Sequence, residues 1–62
     1  MKLHQLLEVL DADIPVIVME FDEYYRVLSD ETAERSQLRK YAERNVQKVS
    51  LDGDCVEILL ET

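Results

Sequence analysis

His4 and Cys55 are the only imidazole and the only thiol in a 62-residue chain. Such a pair can do nucleophilic chemistry when the imidazole takes the thiol proton and a third group orients the base. His4 falls on the polar side of an N-terminal helical stripe, four residues before Glu8. Cys55 follows the turn-forming triplet Asp52-Gly53-Asp54. No third group stands out, so His4 reads as a surface imidazole and Cys55 as a strand residue. Fourteen carboxylates guarantee some acidic pair. Hydrolysis needs the two acids across a cleft, which so short a chain hardly encloses. A structural zinc site wants four soft ligands and only two exist. Asp52-Gly53-Asp54 lacks calcium-loop order, in which the glycine comes sixth after alternating acids. One glycine cannot build a phosphate loop. Tyr24, Tyr25 and Tyr41 are candidate binding anchors, at spacings equally suited to strand and core. The chain therefore reads as non-enzymatic, with no metal and no cofactor.

Charge narrows the partners. Fourteen acids against seven bases give a net charge of −7. Nucleic-acid binding needs lysine and arginine to displace counterions, so direct binding is disfavoured. Adsorption to an anionic membrane is disfavoured for the same reason. A basic protein partner is favoured. Residues 1–34 carry nine acids and two bases, whereas residues 35–48 carry Arg35, Arg39, Lys40, Arg44 and Lys48 against Glu43 alone. The start lacks a signal-peptide pattern, and the apolar run Ile14 to Met19 is far short of a membrane span. A lone cysteine suits a reducing compartment. The expected location is the cytoplasm.

Hydrophobic spacing then places the elements. Leu3, Leu6, Leu7 and Leu10 fall at i, i+3, i+4 and i+7, which predicts a helix over 2–10. Pro15 cannot continue it. Val16 to Phe21 is β-branched and bounded by acids, which predicts a strand. Its two faces are Ile17, Met19, Phe21 and Val16, Val18, Glu20. A turn at Asp22-Glu23 leads to a second strand, 24–29. A three-residue loop sets Tyr25 and Val27 opposite Phe21 and Met19 and keeps Arg26 off that face. A helix from Asp22 to Arg44 ranks second, because two charges interrupt its stripe. Leu38, Tyr41 and Ala42 predict a short helix, with Ser36 as its cap. Val46–Leu51 and Cys55–Glu61 alternate around Asp52-Gly53, a preferred two-residue turn. That register pairs Val49 with Val56 and Lys48 with Glu57.

One domain over 1–62 follows, an α+β fold in the order αββαββ with a small antiparallel sheet. The expected core is Leu3, Leu6, Leu7, Leu10, Ile17, Met19, Phe21, Val27, Leu38, Val49, Val56, Ile58 and Leu60. Val16, Val18, Val46 and Leu59 remain for the second sheet face and suit a homodimer contact.

The helix Met1-Lys2-Leu3 through Leu6-Leu7-Glu8-Val9-Leu10-Asp11, the Val/Ile strand, Ser29-Asp30, Leu38, Val46 and the closing Asp-Gly hairpin together carry a resemblance. The chain resembles small proteins of Gram-positive phages and prophages that open with such a helix. It departs from them in a longer and more basic segment, 30–45. The group offers no activity to carry over residue by residue. The resemblance implies a host-cell cytoplasmic setting and, since small acidic phage proteins are often inhibitors of host defence, an anti-CRISPR-like role. In that role carboxylates stand in for phosphates on a basic nuclease surface. The candidate residues are Glu20, Asp22, Glu23, Asp30, Glu31 and Glu34. The alternative is a homodimeric structural or adaptor module that binds a protein through an apolar sheet face.

Overall fold

The N-terminal leucine stripe winds α1 (Leu3–Val9) in a computed structural model that describes residues 1–62. Seven residues are too few for a helix to stand alone in water, so packing must hold it. Leu3 and Leu6 are buried, with Leu7 and Leu10 packed beside them. The free N–H groups of the first turn are met by the chain itself: Leu3 donates to the Arg44 carbonyl at 2.9 Å and His4 to the Ala42 carbonyl at 3.1 Å. The Lys2 N–H donates to the Gln5 side-chain oxygen at 2.8 Å. Thus α1 is anchored on the segment that enters the second hairpin.

Four strands follow: β1 (Val16–Asp22), β2 (Tyr24–Ser29), β3 (Val46–Asp52) and β4 (Cys55–Leu60). A 3-10 helix, Arg35–Tyr41, joins the two hairpins. The α+β class and the element order agree with the sequence, and residues 24–29 are strand rather than helix. The sheet order is β2-β1-β4-β3. Both hairpins are antiparallel, but β1 and β4 pair in parallel at the centre, so the sheet is mixed rather than wholly antiparallel. Parallel pairing needs a long crossover, which the chain between the two strands supplies.

The first hairpin keeps the expected register, with Phe21 opposite Tyr25 and Met19 opposite Val27. The turn closes through Glu23, whose φ of 67° lies in the left-handed region. The second hairpin turns on Gly53-Asp54 instead of Asp52-Gly53, pairing Asp52 with Cys55. Only Gly53 there takes positive φ, at 63°, as a turn with glycine in the first central position requires. This register sets Leu51 against Val56 and Val49 against Ile58. Leu51 and Val49 nonetheless stay exposed at the sheet edge. The expected Lys48–Glu57 pair does not form: Glu57 faces Ser50, and Lys48 faces Leu59. Gln47 is the extra residue of a bulge that returns Val46 to the core side, opposite Leu60. Leu28 is the extra residue in β2, and it packs against the same core.

Helices cover one face of the sheet only. The core is Leu3, Leu6, Val16, Val18, Leu38, Val56, Ile58 and Leu60. The two faces of β1 are therefore exchanged relative to expectation. Val16 and Val18 are core, and Val46 packs against it. Of the expected dimer-face residues, Leu59 alone points to the other side. Ile17, Met19, Phe21, Val27 and Val49 are not among the buried residues. The reason is Glu20, which shares the core side with Val16 and Val18. Its side chain is only 15 % exposed, and it forms ion pairs with Arg44 at 2.9 Å and Arg26 at 3.6 Å. Arg44 also donates to the Glu61 carbonyl at 2.8 Å. A neutralised carboxylate can sit at the margin of the core, which a lone one cannot.

The basic segment is likewise put to internal use. Arg35 donates to the carbonyls of Asp11 at 2.7 Å and Ile14 at 2.8 Å, tying the α1–β1 connection to the 3-10 helix. Glu34, not Ser36, occupies the N-cap position, and its N–H donates to the Gln37 side-chain oxygen at 2.8 Å.

Removing Arg44 leaves the sheltered Glu20 carboxylate with only the more distant, exposed Arg26 beside it. Arg44→Met should lower unfolding stability by about 2 kcal/mol or more in urea titration, and Glu20→Gln by about 1 kcal/mol. A smaller loss for Arg44→Met than for Glu20→Gln would contradict the assignment. Glu23→Gly should raise stability by about 0.5 kcal/mol, because relief of left-handed strain exceeds the added chain entropy. A fall in the urea midpoint would show the turn to be unstrained.

Candidate functional site

Alternation along the strands puts Ile17, Met19 and Phe21 on the face away from the helices. Their cross-strand partners Val27 and Tyr25 in β2 share that face. Glu57 and Leu59 in β4 lie beside Ile17 and Met19, and Ser50 and Lys48 in β3 complete the row. Phe21 is 47 % exposed, Tyr25 69 % and Val27 57 %. The Phe21 and Tyr25 rings lie 5.0 Å apart and tilted at 55°, a favourable aromatic arrangement that fixes both. Met19 and Leu59 lie at the middle of a depression of about 300 Å³, with Tyr25 on one side and Lys48 and Ser50 on the other. No element of the chain covers it.

The acidic candidates do not form one patch. Glu20 is half-buried and engaged by two arginines. Asp22 and Glu23 lie at the turn before β2, while Asp30 and Glu31 lie just after it. Six strand residues put about 20 Å between these groups. Asp30 accepts the Thr32 hydroxyl at 2.6 Å and the Thr32 N–H at 2.9 Å. These bonds, the hydroxyl first, hold its carboxyl below the ordinary range. Asp22, Glu23, Glu31 and Glu34 are exposed and make no ion pair.

His4 and Cys55 serve different surroundings. His4 stands between Glu8 at 3.7 Å and Glu43 at 3.8 Å. Cys55 is buried at the start of β4, opposite Asp52. Burial first, then the charges of Glu31, Asp52 and Glu57, push its thiol up. Every charge acting on it is negative, the reverse of what activates a thiolate. No three histidine, cysteine or acidic side chains converge as a metal group. No helix is long and apolar enough to cross a membrane. Of the tyrosines, Tyr25 stands on the open face, Tyr24 is exposed, and Tyr41 packs against the core.

The open face escaped the sequence because its large residues outscore the helix-facing valines. One signal was available. The three-residue loop already set Glu20 opposite Arg26, an unlike pair able to shelter that carboxylate.

Cys55 should resist alkylation by iodoacetamide at pH 8 in the folded chain and react fully in denaturant. Because folding raises this pKa, the stability it contributes is present below the unfolded thiol value and is lost as pH rises through the folded one. Rapid labelling of the native chain would contradict the burial.

No family model, curated protein or solved structure matches the chain.

Proposed function

We propose that this chain is a small protein-interaction module whose contact surface is the open sheet face of Ile17, Met19, Phe21, Tyr25, Val27 and Leu59. One observation carries it: four strands bury one face under helices and leave the other, rich in large apolar side chains, uncovered. A contiguous apolar face on a monomer is the usual mark of a contact surface. Aromatic residues and methionine are the types enriched at such contacts, and a depression lined by Met19 can adapt to what enters it. The role is recognition rather than catalysis.

A second reading keeps the acidic groups as the contact. Asp22, Glu23 and Glu31 are exposed, free of cations and set on a chain of net charge −7. On this reading the chain inhibits a basic nucleic-acid-binding protein such as a CRISPR effector nuclease. The carboxylates would then engage that protein at two points at the ends of β2.

Salt separates the two readings. Capture on the immobilised chain should survive washing at about 1 M salt, where the Debye length is about 3 Å, if the sheet face makes the contact. The same capture should be lost in Met19→Lys. Capture released by salt, retained in Met19→Lys and lost on neutralising Asp22, Glu23 and Glu31 together would replace the first reading with the second.

A further inference from the structure

Taking that face as the contact surface, we propose that its occupant is a second copy of this chain. The two sheets pack as a two-fold sandwich in which Lys48 of each copy meets Glu57 of the other. Charge argues for this first. Two chains of net charge −7 repel, so self-association must use the surface with least net charge. At its end the open face carries Asp52, opposite Cys55; across its middle the charged residues are Lys48 and Glu57. They lie diagonally on adjacent strands, since Lys48 faces Leu59 and Ser50 faces Glu57. Neither makes an ion pair within the chain. In a two-fold interface residue i meets j while j meets i, so this single unlike pair is satisfied twice.

Burial argues for it second. Only 9 of 62 residues are buried, and Phe21, Tyr25 and Val27 stand exposed on this face. Small domains commonly make up a thin core by oligomerising. Sheets of this kind pack about 10 Å apart with aligned strands, which lets the Met19 and Leu59 side chains interdigitate with their counterparts. Four strands of six or seven residues make a face of about 20 by 20 Å. That is below the standard interface size, so the dimer should be weak and concentration-dependent.

Sedimentation equilibrium from about 1 µM to 1 mM should show a monomer–dimer equilibrium. Lys48→Glu and Glu57→Lys should each weaken it at least about tenfold, and the combined swap should return it to within about threefold of the wild type. Glu57→Lys is the more telling single change, because it lowers the net negative charge and with it general repulsion. Circular dichroism confirms that each variant is folded. A wild type that stays monomeric throughout, single variants that associate like the wild type, or a folded double variant that does not recover would each overturn the second copy as occupant. If the chain is monomeric yet Met19→Lys abolishes salt-resistant capture, the face remains a contact surface for another protein. If capture is also unchanged, that reading falls as well.

Discussion

The carboxylate of Glu20, set between Arg44 and Arg26, decides which way this sheet faces. Strand alternation ties Glu20 to Val16 and Val18. Either that whole row turns inward or the row of Ile17, Met19 and Phe21 does. Turning Glu20 toward the helices would be prohibitive for an unpaired charge. Arg44 makes it tolerable, and the same guanidinium reaches the Glu61 carbonyl just beyond β4. One arginine thereby links β1, the end of β4 and the entry to β3. With the valine row buried under α1 and the 3-10 helix, the bulkier row has nowhere to go but outward.

The parallel β1–β4 pair is the second constraint, and it shows what is legible in the sequence. The leucine stripe of α1, both hairpins and the register of the first are local patterns, and each appears where the residues place it. So do Val56, Ile58 and Leu60 on the core side of β4. What is not local is not legible in the same way. Nothing in either hairpin alone says that they join through β1 and β4. Arg44 reaches Glu20 from the far side of the crossover. The Gln47 bulge shifts Val46 by one position, and simple alternation cannot anticipate it. The second turn slips by one residue, to Gly53-Asp54, where glycine alone takes the positive φ.

The same geometry divides the surface by chemistry. The acids that dominate the composition are spread over turns and loops, and one of them is an internal ion-pair partner. The open sheet face is instead largely apolar and aromatic. Net charge keeps chains apart in general, while on this face Lys48 and Glu57 stand free of ion pairs within the chain. Recognition through that face needs no catalytic group, in keeping with a thiol held up by its acidic neighbours and an imidazole flanked by glutamates on a helix.

Everything about the contact surface follows from which row of β1 lies under the helices. Nuclear Overhauser contacts from the Leu3, Leu6 and Leu38 methyls test it most directly. Cross-peaks to the methyls of Val16, Val18 and Ile58, and none to Ile17 or Met19 within one chain, are expected. Intramolecular cross-peaks from those leucines to Ile17 and Met19, with none to Val18, would show the opposite face buried and remove the open apolar surface on which the functional account stands.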